Sequence, residues 1–436
     1  GPPDSMIPLL LAVISLICLY QAWAIGANDV ANSMGVAVGS KSLSLAQAIL
    51  LAAIFEFAGC ILAGADVTST VSKGIVDPAR FASCPERFVV GMTCALLACA
   101  LWIHLATWLG LPVSSTYSIV GAVAGFGVVA WGWSAVHWKV MLGIIAAWFL
   151  SPVAGLALGY IIFRLLIRTV LGRGDPLAAL VRACPAIVFL GVGLTVLGAI
   201  YNGLGSLSAR VPWLASAPGA CVTAALLALA AAAAARPIIS RYVRRAPGAP
   251  LSEQLIRAER AFAPLLVLSA CAVSFAHGAN DVANAVGPLA AVAHVLRSGR
   301  IEVCVQVPMW ILTLGGAGIV LGLATYGRAV IRTIGGSITE ITPSRALAAN
   351  MATALTVLLC TRLKLPVSTS HTIVGAVMGV GLARGLAAVN GGVLKRIFVS
   401  WALTVPAAAV LTAVLILLCR ALGAASWLAG FMAKAG

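Results

Sequence analysis

Charge is scarce in this 436-residue chain, and acid is scarcer than base. Asp, Glu, Lys and Arg together make up 9% of it, with 12 acidic residues against 28 basic ones. A soluble domain carries about 25% charged residues, so a water-soluble globular fold is excluded. The eleven cysteines include no CxxC pair and sit mostly inside apolar runs. That removes a zinc site of ordinary spacing and a disulfide framework, and leaves them as small core residues. No HExxH occurs. The stretch 35-GVAVGSKS-42 grazes a phosphate-binding loop, but Ser40 occupies the required second Gly and no strand precedes it. Membrane barrels are built from short alternating strands, whereas the apolar runs here are long and continuous.

Apolar residues are abundant, at 61% of the chain. A membrane-crossing helix needs about 20 mostly apolar residues. Such runs occur at 6–25, 43–65, 88–110, 138–163, 183–205, 215–235, 303–325 and 397–419. The expectation is an all-α polytopic membrane protein. The net charge of +16 does not imply a nucleic-acid partner, because Lys and Arg gather in loops between spans, where cytoplasmic basic residues are expected.

Two motifs occur twice. The stretch 26-GANDVANSMG-35 returns as 278-GANDVANAVG-287, with eight of ten positions identical. The stretch 111-LPVSSTYSIVGAVAG-125 returns as 365-LPVSTSHTIVGAVMG-379, with ten of fifteen identical. The offsets, 252 and 254, are nearly equal, so one unit is duplicated. Three regions follow: a first repeat at 6–165, connecting helices and a basic linker at 166–261, and a second repeat at 262–420. The basic loops place both termini outside and make the repeats inverted, the plan of many secondary transporters.

Asp29 and Asp281 lie in apolar surroundings, where an ionised Asp costs about 2.5–3.5 kcal/mol. Neither has Arg or Lys within its motif, so a bound cation is the simplest partner. Gly-Ala-Asn-Asp is poor helix material, and helix breaks are expected near Gly26 and Gly278. Pro112 and Pro366 imply further helix starts, supplied with hydroxyls by Ser114, Ser115 and Thr116 and by Ser368, Thr369 and Ser370. Four helix starts with Asn28, Asn32, Asn280 and Asn284 would form a cradle of N–H, amide and hydroxyl donors, with no fixed positive side chain. Such a cradle suits an oxyanion, and cations beside the carboxylates would offset their repulsion of it. The motif predicts co-binding of anion and cation. It favours sodium over a proton, because neutral oxygens suit a hard cation.

The doubled GANDVAN and PVS(S/T)(T/S)xxIVG motifs resemble those of the inorganic phosphate transporter family, the sodium/phosphate symporters, over about residues 20–390. The resemblance implies about twelve helices with inverted repeats and broken helices or re-entrant hairpins. It also implies phosphate uptake driven by sodium or, in some members, protons, and a homodimer in the plasma or inner membrane. No cofactor beyond the co-transported ion is implied, and no enzymatic activity. Carried onto this chain, it assigns phosphate binding to Asn28, Asn32, Ser114, Ser115, Thr116, Asn280, Asn284, Ser368, Thr369 and Ser370. It assigns sodium to Asp29, Asp281, Glu56, Asn28 and Asn280. Met92 and Asn350 align with positions that are Glu in eukaryotic members. A proton-coupled permease for sulfate or another oxyanion is the alternative of the same fold.

Overall fold

The structure, a computed structural model, describes residues 6–67, 75–203, 211–242, 250–302, 305–363, 367–424 and 426. Among the described residues the only sheet-like pairing is an isolated antiparallel bridge between Val76 and Val136. The rest is helical, as the long apolar runs require. The principal helices are α1 (Met6–Gly39), α2 (Leu45–Val67), α3 (Pro85–Trp108), α4 (Ser115–Trp131), α5 (Trp138–Leu166) and α6 (Pro176–Gly203). They continue with α7 (Ala217–Tyr242), α8 (Leu251–Ser298), α9 (Met309–Tyr326), α10 (Pro343–Arg362), α11 (Thr369–Leu382) and α12 (Gly391–Ala421). Among the described residues, nine helices are long and apolar enough to cross a membrane.

Two expectations are corrected. The GAND motifs do not break their helices: α1 runs through Gly26 and α8 runs through Gly278 without interruption. The low propensity of Gly and Asn, about 1 kcal/mol per residue or less, is outweighed by packing in which both stretches are buried. The second correction concerns the C-terminal part of 166–261, where the basic linker is expected. Helix α7 passes Pro237, and α8 begins at Leu251, so much of the expected linker is helix; residues 243–249 lie outside the described set. At 1.5 Å per residue, the 48 residues of α8 reach about 72 Å, more than twice the apolar thickness of a bilayer. Its first turns carry the charges. Glu253 pairs with Arg257 at 2.5 Å. Glu259 accepts hydrogen bonds from Thr342 Oγ1 (3.0 Å), Ser344 N (2.9 Å) and Ser344 Oγ (2.7 Å), tying α8 to the start of α10.

The duplicated halves exchange partners. Helix α1 packs on α9 while α8 packs on α2; α4 packs on α12 while α11 packs on α5. Small residues permit the close approach. A Cβ at Gly26 would overlap the backbone of Ile319, and one at Gly278 the backbone of Glu56. Gly121 and Gly125 face Val405 and Ala409, and Gly375 and Gly379 face Pro152 and Leu156. The shared core therefore lies between the halves, which brings the polar motif residues of both together.

Candidate functional site

The PVS motifs do start helices. Helix α4 is capped by Ser114, whose hydroxyl accepts from Tyr117 N at 3.2 Å; α11 is capped by Ser368, whose hydroxyl accepts from His371 N at 3.3 Å. Pro366 lies outside the described residues. At 17 and 14 residues, both helices are shorter than a span, and their first turns stay inside the protein. The amides of Ser115 and Thr116 precede the helical ladder, as do those of Thr369 and Ser370. Two of the four expected helix starts are thus present.

Each start meets the Asn of the helix carrying a GAND motif. Asn32 Nδ2 donates to Ser370 Oγ at 2.8 Å and to Thr369 Oγ1 at 3.4 Å. Asn284 Nδ2 donates to Thr116 Oγ1 at 3.2 Å and to Ser115 Oγ at 3.4 Å. The first GAND motif therefore serves the second hydroxyl cluster, and the second serves the first. Asn28 is committed elsewhere. Its Nδ2 donates to Thr107 Oγ1 and Leu111 O, at 2.9 and 3.0 Å, and its Oδ1 accepts from Val113 N at 3.1 Å. It fastens α1 to the turn before α4. Asn280 instead borders a cavity of about 50 Å³ between α6, α8 and α10, together with His277 and Thr369.

The carboxylates gather nearby. Asp29 Oδ1 accepts from Ser370 Oγ at 2.8 Å and Asn32 Nδ2 at 2.9 Å, while Oδ2 has no hydrogen-bond partner. Glu56 Oε1 accepts from Ser33 Oγ at 3.4 Å, and its buried Oε2 has none. A basic group that sequence reasoning missed stands among them. His277 Nε2 lies 2.7 Å from Asp281 Oδ2 and 4.0 Å from Asp29 Oδ2, and Nδ1 lies 3.4 Å from Glu56 Oε1. This corrects the expectation of no positive side chain. The signal was present in the sequence: His277 directly precedes the second GAND, where the first copy has Ile25. An ionisable residue that breaks a repeat inside an apolar run marks function.

All four side chains are at least nine-tenths buried. Three carboxyl groups against one imidazole leave more acidic oxygens than the ring can meet. Unpaired buried charge is strongly unfavourable, and the unpartnered oxygens of Asp29 and Glu56 are ready acceptors for cations. Asp29, His277 and Asp281 offer ligand atoms within 4.8 Å of one another. Beside this acidic cluster lie hydroxyl and amide donors at two helix starts. Met92 and Asn350 are both buried, and neither the nitrogen nor the oxygen of the Asn350 amide has a hydrogen-bond partner.

A polytopic helical membrane protein that buries adjoining acidic and donor clusters between its two halves belongs to the class of membrane transporters. The chain is a member of the phosphate transporter family, whose model matches residues 25–412. It is 40% identical to a protein of Pyrococcus furiosus named as a candidate phosphate permease, over 94% of this chain and 95% of that one. It is 39% identical to the chloroplastic inorganic phosphate transporter 2-1 of Arabidopsis thaliana, over 93% of this chain and 71% of that one. A solved structure described as the sodium-dependent phosphate transporter superposes with a TM-score of 0.84 at 36% identity, over 94% of this chain and 99% of that one. These relatives are transporters, and the chain is not an enzyme.

Proposed function

We propose that the protein imports inorganic phosphate by sodium symport, through one site shared by two inverted repeats near the membrane midplane. The observation that carries this reading is the buried set Asp29, Glu56 and Asp281, with one oxygen each of Asp29 and Glu56 left unpartnered, directly beside two hydroxyl-rich helix starts. Sodium ions at the carboxylates supply the positive charge that the single His277 cannot. The oxyanion then lies against the first turns of α4 and α11. The hydroxyls of Ser115, Thr116 and Thr369 and the backbone amide of Ser370, whose own hydroxyl stays on Asp29, donate to it, with Asn32 and Asn284 holding the hydroxyl clusters in place and Asn280 lining the approach. Asn28 acts by fixing the α3–α4 turn. Because cations offset the repulsion between carboxylates and phosphate, neither partner binds well alone, and that mutual dependence couples the fluxes. The protein operates as a homodimer in the plasma membrane with both termini outside.

Labelled phosphate uptake into proteoliposomes tests the reading. An inward sodium gradient should drive uptake that excess sulfate does not suppress, and a proton gradient alone should not. Asp29→Asn and Asp281→Asn should abolish gradient-driven uptake while leaving the folded protein in the membrane. Wild-type uptake in both variants would sink the scheme. Proton-driven sulfate uptake without phosphate uptake would replace both substrate and cation.

A further inference from the structure

Outside the shared site, His371 is a buried polar group to which the proposed function gives no role. It follows Ser370 on α11, is 2% exposed, and stacks on the indole of Trp401 with ring centroids 3.8 Å apart. The backbone of Trp148 faces the imidazole, yet neither ring nitrogen completes a hydrogen bond of normal geometry. The indole N–H of Trp148 is likewise without a partner. Leaving such groups unmet in a dry interior costs roughly 1–3 kcal/mol each.

His371, Trp148 and Trp401 line a pocket of about 310 Å³ between α5, α11 and α12. Its remaining walls include Phe149, Val153 and Phe398, which are 70%, 60% and 43% exposed. These residues lie within the candidate spans Trp138–Leu171 and Gly391–Ala421. The mouth therefore opens to the bilayer rather than to water. Aromatic walls favour a flat ring. The polar spots call for one oxygen that can accept from Trp148 Nε1–H and serve His371 in either tautomer, which a hydroxyl does.

We propose that this pocket is a binding site for flat, hydroxyl-bearing aromatic molecules of the phenol class that enter from the membrane. A bound ring rests against His371, one residue from the hydroxyl that Asp29 holds, so occupancy restrains the start of α11 and slows transport. That consequence rests on the proposed function; the binding does not.

The probe is 6-bromo-2-naphthol, with 2-bromonaphthalene as its hydroxyl-free analogue, and full-length protein in lipid nanodiscs. Bromine quenches tryptophan fluorescence on contact, so a pocket lined by Trp148 and Trp401 reports binding directly. The naphthol should quench saturably and bind at least tenfold more tightly than the analogue. Ala402→Phe, at the lipid-exposed mouth, should weaken it at least tenfold. His371→Phe keeps a ring on Trp401 and should erase the preference for the hydroxyl. Thermal melts and elution profiles matching wild type qualify both variants as folded. Quenching that rises linearly and equally in wild type and Ala402→Phe is bilayer partitioning and overturns the proposal. So does equal affinity for the two probes, or a second copy of the chain seated over the mouth that Ala402→Phe dislodges. Phosphate uptake with and without naphthol then tests the coupling separately.

Discussion

Asp29 is held by two donors on one oxygen and left open on the other. That asymmetry supports the proposed role as a cation ligand over that of a structural cap, since a cap at this depth is served at less cost by Ser. Ser370→Ala removes one of the two donors. Hydrogen bonds to charged groups contribute about 1.5–3 kcal/mol, so the sodium concentration for half-maximal uptake should shift roughly tenfold or more. Thr116→Val takes no donor from a carboxylate, losing its contact to Asn284 and one proposed oxyanion donor, and should shift it less. His277 gives a second test. His277→Leu leaves Asp281 and Glu56 without their basic neighbour, and breaking a buried pair costs about 3–5 kcal/mol. The melting temperature without sodium should fall well below wild type, and sodium should restore part of the loss. A variant whose melting ignores sodium would argue against cations at this cluster.

At the level of elements, the site exists because four helices approach at glycine. Gly278 presses on the Glu56 backbone and Gly26 on Ile319. Gly278→Leu cannot be accommodated by a side-chain shift, because the obstacle is main chain. Overpacking of this kind costs about 1–3 kcal/mol, and thermal unfolding should drop accordingly. At Gly391 a Cβ would meet nothing within 4 Å, so Gly391→Ala should leave stability nearly unchanged. The helix starts carry a smaller dependence. Ser368→Ala removes a cap worth about 1 kcal/mol, and Ser368→Asp retains a capping oxygen; only the first should loosen α11, read as faster hydrogen exchange at Thr369–His371.

Across the whole molecule, the halves exchange partners at every level: α1 with α9, α8 with α2, α4 with α12, α11 with α5. Each half alone therefore leaves the Asn of its GAND motif, Asn32 or Asn284, without the hydroxyl cluster it meets. Co-expressed as two chains, split in the region 243–249, the halves should assemble and transport. Each half alone should give no phosphate uptake above empty vesicles. Uptake by a single half would refute a shared site.

The amino-acid sequence by itself determined the class of protein, the duplication and the motif residues. Apolar length, the repeat and the rarity of intramembrane carboxylates are local properties, readable without knowing what touches what. It also marked the starts of α4 and α11, because Pro and Ser act on their own backbone. The tertiary structure alone decided that the GAND stretches stay helical, since burial against a neighbouring backbone outweighs a weak local propensity. It alone paired Asn32 with Ser370 and Asn284 with Thr116, contacts 338 and 168 residues apart along the chain. It alone turned Asn28 toward the α3–α4 turn and set His277 among Asp29, Glu56 and Asp281. Those outcomes depend on which helix lies against which, and no run of neighbouring residues encodes that.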